Sequence, residues 1–163
     1  MIQIKNAAEL QKMRKACAIS AAALKAGGEA IEPGITTAEI DKIIYDFIVR
    51  HGARPNFLHL YGFPATACIS VNDTVIHGIP NKQQQIRPGD IVSIDTGCKI
   101  DGFNGDNACT YACGKIDLEA QRLLDVTKES LHRGIEMACG GNRVGDIGHA
   151  VQSYVEENGF SVV

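Results

Sequence analysis

Tryptophan is absent from this sequence, and aromatic residues make up only 6% of it. Proteins that bind single-stranded nucleic acids usually stack the bases on aromatic side chains, so this class of protein is disfavoured. An excess of positive charge is missing too, because 16 Lys and Arg residues are spread along a chain that has 19 Asp and Glu residues and a formal net charge of −3. The composition therefore predicts no nucleic-acid partner.

Long hydrophobic runs are also lacking. No apolar stretch approaches the ~18 residues of a membrane-spanning helix, and the N-terminal residues MIQIKN do not have the form of a signal peptide. We therefore expect a cytoplasmic protein with no membrane partner. The spacings of the six cysteines include no CxxC motif, and reduced thiols used mostly as small core residues are predicted at Cys17, Cys68, Cys98, Cys109, Cys113 and Cys139.

The 163 residues are enough for one domain with a sizeable core, and 45% hydrophobic and 21% charged residues are ordinary for a globular protein. N-cap residues, apolar periodicity and terminating glycines predict four helices. The first begins at the capping pair Asn6 and Glu9 and runs to about Ala26, before Gly27-Gly28. The second begins at the capping pair Thr36 and Glu39 and ends at Gly52. The other two are predicted from about Leu118 to Cys139 and from about Asp146 to Asn158.

The stretch from Gly89 to Gly114 predicts a β-hairpin, because Asp101-Gly102 suits the two central positions of a type I′ turn. With this pair as the loop, Gly97 lies opposite Asp106. Residues opposite each other or two apart share a sheet face, so Asp95 and Asp106 project from one face on a diagonal. Two carboxylates in one space repel each other unless a proton or cation lies between them. A bound divalent metal is one interpretation, and solvated surface carboxylates are the other.

Short strands and turns are predicted between the second helix and this hairpin. A strand is expected from Thr66 to Val71, a turn near Asn72-Asp73, and a second strand from Thr74 to His77, before Gly78-Ile79-Pro80. A tight turn at residues 87–90 then leads the chain into the hairpin.

The second and fourth predicted helices are related by a constant offset of 107 residues. At this offset Gly34 matches Gly141 and Gly52 matches Gly159, with matching apolar positions between them. We infer an internal duplication. The first copy continues into strands, whereas only four residues follow Gly159. A sheet built from two such copies would have an open edge and an uncovered apolar helix face, so we expect either a complementing chain or a longer protein.

Four segments carry a family likeness: CISVN (68–72), HGIP (77–80), GDIVSIDTG (89–97) and DGFNGD (101–106). Together they resemble the N-terminal part of type I methionine aminopeptidases, and the likeness covers essentially the whole chain. The resemblance implies an α+β pita-bread fold, in which two related αβ halves pack around an antiparallel sheet with a two-metal site. It further implies a single truncated domain, with residues 1–112 as the first αβ repeat and residues 113–163 as the helical start of the second.

The resemblance also implies roles for individual residues. Asp95 binds one of two divalent metal ions, Asp106 bridges both, and His77 is catalytic, lying beside the substrate and contacting the scissile peptide. A ligand set rich in carboxylate oxygen favours Mn, Fe or Co, and Zn can also be held. The implied activity is metal-dependent removal of the initiator methionine from the N-terminus of nascent proteins and peptides.

The implied pocket for the methionine side chain is formed by Phe57, Leu60, Phe63 and Cys68, with His77 beside it. Apolar and polarisable side chains suit a thioether. The family usually has a tyrosine at the position of Leu60, so the shape of the pocket is expected to differ here.

The implied metal site is incomplete in this sequence. The family's other ligands, a histidine and two glutamates, fall beyond Val163, and His132 and His149 are interpreted as surface or packing residues. Two aspartates do not fill a dinuclear site, so we expect weak or no metal binding and little activity of this chain alone. The alternative hypothesis is a non-catalytic module that forms a homodimer or binds a partner through its sheet edge and helix face. An enzyme of the proline-dipeptidase or creatinase type is disfavoured by the spacing of HGIP and Asp95.

Overall fold

The computed structural model describes residues 3–163, and these contain four α-helices and one four-stranded antiparallel sheet. The helices are α1 (Ala7–Glu29), α2 (Thr37–Arg50), α3 (Leu118–Glu136) and α4 (Val144–Glu157). The strands are β1 (Arg54–Pro55), β2 (Ala67–Val71), β3 (Ile91–Ile100) and β4 (Phe103–Ala112), and a short 3₁₀ turn spans Leu60–Gly62. None of the helices in residues 3–163 combines the length and the apolar character needed to cross a membrane.

The chain divides into two units. Unit 1 extends to Ile116 and holds α1, α2 and the whole sheet, and unit 2 runs from Asp117 to Val163 and holds α3 and α4. The assignment of residues 1–112 and 113–163 to two repeats stays a prediction.

The hairpin of β3 and β4 forms with the predicted turn and register. Asp101 and Gly102 have φ angles of +52° and +86°, as a type I′ turn requires. Gly97 pairs with Asp106 and Asp95 pairs with Ala108. β3 also pairs antiparallel with β1 and β2, so it is the central strand of the sheet.

One face of the sheet is covered by α1 and α2. Its β3 residues Val92, Ile94 and Cys98 are fully buried, as are the α2 residues Ile40, Ile44 and Ile48. Each completely buried aliphatic side chain of this kind contributes roughly 1.5–3 kcal/mol. The predicted metal ligands Asp95 and Asp106 lie on the opposite face of the sheet.

Both predicted N-terminal capping boxes are confirmed, at Asn6 with Glu9 and at Thr36 with Glu39. The predicted end of α1 before Gly27 is wrong, because α1 continues through both glycines to Glu29. A Cβ atom at Gly28 would lie 2.1 Å from the Tyr111 ring of β4. Gly28 therefore allows close packing of α1 against Tyr111, and the glycine pair does not end the helix.

The predicted strand from Thr74 to His77 is also wrong, because this segment is a loop. Val75 and Ile76 are each 63% exposed, and His77 has a φ of +56°, which is incompatible with a strand. The predicted end of α3 at Cys139 is three residues too late, since the helix ends at Glu136. The cysteine prediction holds for Cys68, Cys98 and Cys113, which are buried, and is wrong for Cys17, Cys109 and Cys139, which are exposed.

Candidate metal centre

Asp95 and Asp106 lie on the sheet face opposite the one that α1 and α2 cover. Asp95 is half-buried in the central strand β3, and Asp106 is exposed on β4. The residue opposite Asp106 is Gly97. A Cβ atom at Gly97 would lie 3.1 Å from Asn56 Nδ2 and 3.3 Å from Phe57 Cε1. The absence of a side chain at Gly97 therefore keeps open the space beside the carboxylates.

The two carboxyl groups interact electrostatically, as the hairpin register predicts. Burial raises the pKa of Asp95 above its ordinary value, and the charge of Asp106 raises it further, whereas His77 acts in the opposite direction. A cation between the carboxylates would relieve this repulsion, so the donor chemistry fits a divalent ion that prefers oxygen. Within residues 3–163, however, no three His, Cys, Asp or Glu side chains are grouped closely enough to hold a metal ion. The described residues thus bring two carboxylates together without a third ligating side chain beside them.

A cavity of about 490 Å³ adjoins Asp95. It brings together all five residues predicted for the substrate pocket, namely Phe57, Leu60, Phe63, Cys68 and His77. Tyr61 and Ile79, which the sequence analysis did not name, also line it. Asp106 does not line this cavity, but its charge acts on Asp95, which does. The cavity is thus apolar for most of its wall and acidic at one side.

Cys68 lines the cavity beside Asp95, because the two residues pair across β2 and β3. Burial, followed by the charges of Asp95, Asp106 and Asp41, raises the pKa of the Cys68 thiol to about 11. The thiol is therefore neutral at physiological pH and acts as a soft, weakly polar part of the wall.

The His77 loop is fastened to β2 through its neighbour Gly78. The Gly78 N–H donates to the Ser70 hydroxyl at 3.0 Å, and the Gly78 carbonyl accepts from the Ile69 N–H at 2.8 Å. A Cβ atom at Gly78 would lie 2.1 Å from the Ile69 carbonyl oxygen, so only glycine allows this approach. Since Ser70 lies on the same strand as Cys68, one strand positions both the pocket wall and His77.

Asp41 of α2 fixes the start of the same strand. Its carboxylate accepts hydrogen bonds from the Thr66 N–H at 2.9 Å and the Ala67 N–H at 2.8 Å. Burial raises the pKa of Asp41, and the two backbone donors partly offset that shift. Sequence reasoning missed Asp41 and Ser70, because an aspartate on a helix and a serine in a strand carry no local signal of a partner 25 or 8 residues away.

Replacement of Ser70 by alanine is expected to loosen the His77 loop. The change removes the acceptor for the Gly78 N–H, and a typical hydrogen bond of this kind is worth about 1 kcal/mol. Hydrogen exchange at Gly78 should then accelerate by roughly 5-fold. Exchange at Gly78 is measured by NMR, with the His77 ring resonances reporting the displacement of the loop.

Ser93→Ala is the matched control for this change. Ser93 pairs with Ser70 across the sheet, but its hydroxyl bonds to Thr110 at 2.8 Å and not to the loop. If hydrogen exchange at Gly78 accelerates equally in both variants, the Ser70 hydroxyl does not specifically stabilise the loop.

The histidines His132 and His149 are distant in sequence from the carboxylate pair and from His77. His132 on α3 and His149 on α4 are both exposed, and the His149 ring contacts the Ser153 hydroxyl at 3.4 Å. Their interpretation as surface histidines agrees with this placement.

Comparison with known proteins reveals close relatives. The chain is 50% identical to the methionine aminopeptidase of Clostridium perfringens over 163 residues, which are 100% of this chain and 65% of that protein. The crystal structure of methionine aminopeptidase from Rickettsia prowazekii matches with a TM-score of 0.97 at 38% identity, covering 100% of this chain and 65% of that one. The prolidase from Pyrococcus furiosus shares the fold, with a TM-score of 0.82 at 22% identity over 96% of this chain and 44% of that one. These neighbours confirm the predicted α+β pita-bread fold.

The chain spans about 65% of the length of curated relatives that it matches. The sequence pattern of metallopeptidase family M24 matches residues 11–163. That match includes the carboxylate pair, the cavity and the His77 loop, so sequence, fold and local chemistry agree that the chain belongs to metallopeptidase family M24.

Proposed function

We propose that this chain carries the substrate pocket and part of the metal centre of an enzyme that removes N-terminal methionine from peptides and nascent proteins in the cytoplasm. The observation that carries the proposal is the apolar cavity of about 490 Å³ whose wall includes Asp95. A pocket of this kind takes up an apolar side chain and leaves the adjoining backbone beside the carboxylates.

In this proposal Asp95 and Asp106 hold divalent metal ions. Bound ions would supply Lewis-acid activation of the scissile carbonyl and of a water nucleophile. Mn, Fe or Co fit oxygen ligands best, with Zn as a further candidate. Because two carboxylates satisfy only part of the coordination of two ions, additional ligands are required for full activity.

The remaining residues bind and orient the substrate. Phe57, Leu60 and Phe63 provide apolar contacts to the methionine side chain, and the neutral Cys68 thiol offers a soft contact to its sulfur atom. In this proposal His77 contacts the scissile peptide, and the hydrogen bonds of its neighbour Gly78 support that role by fixing the loop. The exposed position of Leu60 leaves this side of the pocket open.

The first test is methionine release from a Met-Ala-Ser peptide by the 163-residue chain with Mn(II) or Co(II), with Asp106→Ala as the comparison. Turnover that disappears in the variant supports the proposal directly. If the chain alone is silent, the assay is repeated on a fusion to the part of the Clostridium perfringens relative that lies beyond its match to this chain. A folded fusion that binds Mn(II) and releases no methionine would overturn the proposed function.

A further inference from the structure

A serine and a threonine lie fully buried between α1 and the central strand. Ser20 of α1 and Thr96 of β3 are each 0% exposed. Thr96 belongs to the helix-facing series of β3, whose other members Val92, Ile94 and Cys98 are apolar or weakly polar. A valine would fill the place of Thr96 with nearly the same shape, whereas a buried hydroxyl costs free energy unless it is hydrogen-bonded. The two hydroxyl groups therefore require partners.

Both hydroxyl groups donate to backbone carbonyls at one corner of the sheet. The Ser20 hydroxyl donates to the Thr96 carbonyl at 3.0 Å, and the Thr96 hydroxyl donates to the Thr66 carbonyl at 3.4 Å. Thr66 directly precedes β2, and its N–H donates to Asp41 of α2 at 2.9 Å. Hydrogen bonds thus connect α1, β3, the start of β2 and α2. The two bonds made by Ser20 and Thr96 are here called the hydroxyl bridge.

The hydroxyl bridge lies where β3 changes its partner strand. The pairing of β2 with β3 ends at Ala67 opposite Thr96, and β1 pairs with β3 beyond that point. The end of a ladder opens more easily than its centre, because fewer neighbouring bonds must break. Cys68 and Asp95 form the pair next to this end. The cavity wall and the carboxylate therefore lie at a part of the ladder that needs additional support.

We propose that Ser20 and Thr96 are positioning residues, which hold the Asp95 carboxylate in place beside the Cys68 side of the cavity. Thr96 directly follows Asp95, so the bonds at its carbonyl and at its hydroxyl restrain the backbone that carries the carboxylate. Neither residue lines the cavity, and both act from the helix side of the sheet. The inference rests on the proposed function, which assigns Asp95 to a metal ion and the cavity to a methionine side chain.

Two substitutions of Thr96 separate positioning from stability. Thr96→Val keeps the shape of the side chain and removes the hydroxyl, whereas Thr96→Ser keeps the hydroxyl and removes a methyl group. Both changes cost stability, because the first breaks a buried hydrogen bond and the second leaves a small cavity. Only Thr96→Val is expected to loosen the end of the β2–β3 ladder.

The first measurement is amide hydrogen exchange of the 163-residue chain by NMR. The N–H groups of Thr66 and Ala67 should exchange about 5-fold faster in Thr96→Val than in Thr96→Ser, as expected for one lost hydrogen bond. Exchange at Ile44 in the core serves as the measure of global stability. Ser20→Ala should act on the same N–H groups, and its effect should not add to that of Thr96→Val, because the two bonds share one residue.

The second measurement uses the fusion that carries the remaining part of the Clostridium perfringens relative. Thr96→Val is expected to weaken Mn(II) binding about 10-fold and to lower kcat/KM for the Met-Ala-Ser peptide by a similar factor. Loss of a group that orients a metal ligand typically has an effect of 10- to 100-fold, and Thr96 acts on Asp95 only through the backbone. Thr96→Ser should stay within about 2-fold of the parent fusion, because it retains the hydroxyl.

The two variants of Thr96 decide the outcome. If they show equal hydrogen exchange at Thr66 and Ala67, or equal Mn(II) affinity, the hydroxyl bridge does not position Asp95 and the inference is wrong. Strictly additive effects of Ser20→Ala and Thr96→Val would also overturn it. A parent fusion that binds Mn(II) and releases no methionine would contradict the proposed function alone, since the exchange and Mn(II) comparisons still test the bridge.

Discussion

Asp106→Asn is expected to weaken Mn(II) binding and at the same time to stabilise the metal-free protein. The substitution removes one of the two carboxylates. Loss of a residue that only orients a metal ligand typically lowers metal affinity 10- to 100-fold, so loss of a ligand itself is expected to lower the Mn(II) affinity by about 100-fold. It also removes the charge that raises the pKa of Asp95. Mn(II) affinity is measured by electron paramagnetic resonance on the fusion that supplies the further ligands, and stability is measured by urea unfolding of the metal-free chain.

The stabilisation should depend on pH in a defined direction. Because the pKa of Asp95 is raised on folding, ionised Asp95 destabilises the folded state. This penalty is absent below the unfolded pKa of about 4, where the group is protonated in both states, and develops as pH rises through the folded value. Asp106→Asn should therefore raise the free energy of unfolding at pH 7, by about 0.5 kcal/mol given the exposure of Asp106, and have little effect near pH 3.

Asp101→Asn is the matched control. Asp101 lies in the turn of the same hairpin, and its carboxylate pairs with Lys15 at 2.7 Å, which lowers its pKa. Its replacement should leave Mn(II) affinity unchanged and slightly destabilise the protein above pH 4, the opposite sign to Asp106→Asn. If both variants bind Mn(II) like the parent chain, Asp106 is not a ligand.

Gly105→Ala is expected to be the most damaging single methyl addition in the hairpin. The new Cβ atom would lie 2.4 Å from the carbonyl carbon and oxygen of Ala16 in α1. Both contacts are backbone, so relief requires α1 and β4 to separate, and overpacking of this kind costs about 3 kcal/mol or more. Since Gly105 directly precedes Asp106, metal affinity should fall together with stability.

Gly148→Ala provides the comparison, measured by the same urea titration. Gly148 lies within α4, and a Cβ atom there would meet nothing within 4 Å. Alanine is the better helix former, so a gain of about 0.5–1 kcal/mol is expected. Unchanged stability of the Gly105→Ala protein would mean that α1 does not pack closely against β4 at this position.

Features determined by neighbouring residues could be predicted from the sequence. The Asp101-Gly102 turn dictates the register of β3 and β4, and the register places Asp95 and Asp106 on one face, so a local signal was enough for the carboxylate pair. The capping boxes of α1 and α2 are likewise local. The offset of 107 residues is also found in the structure, where both the first and the last residues of α2 and α4 differ by 107.

Features that depend on distant neighbours could not be predicted in this way. Gly27-Gly28 resembles a helix stop, and only the presence of Ile44 and Tyr111 beside it explains why the helix continues. The alternation in Thr74–His77 resembles a strand, but no strand pairs with it in residues 3–163 and the segment is held by Ser70 instead. These two errors arose where tertiary contact overrides local preference.

The hydrophobic core of unit 1 has a consequence for synthesis on the ribosome. All buried residues of that core lie between Ala23 and Cys113. None comes from α3 or α4, so the core is complete as soon as β4 has emerged from the exit tunnel. Domains generally fold in order of synthesis. The carboxylate pair and its pocket can therefore take shape co-translationally, before the helices of unit 2 leave the exit tunnel.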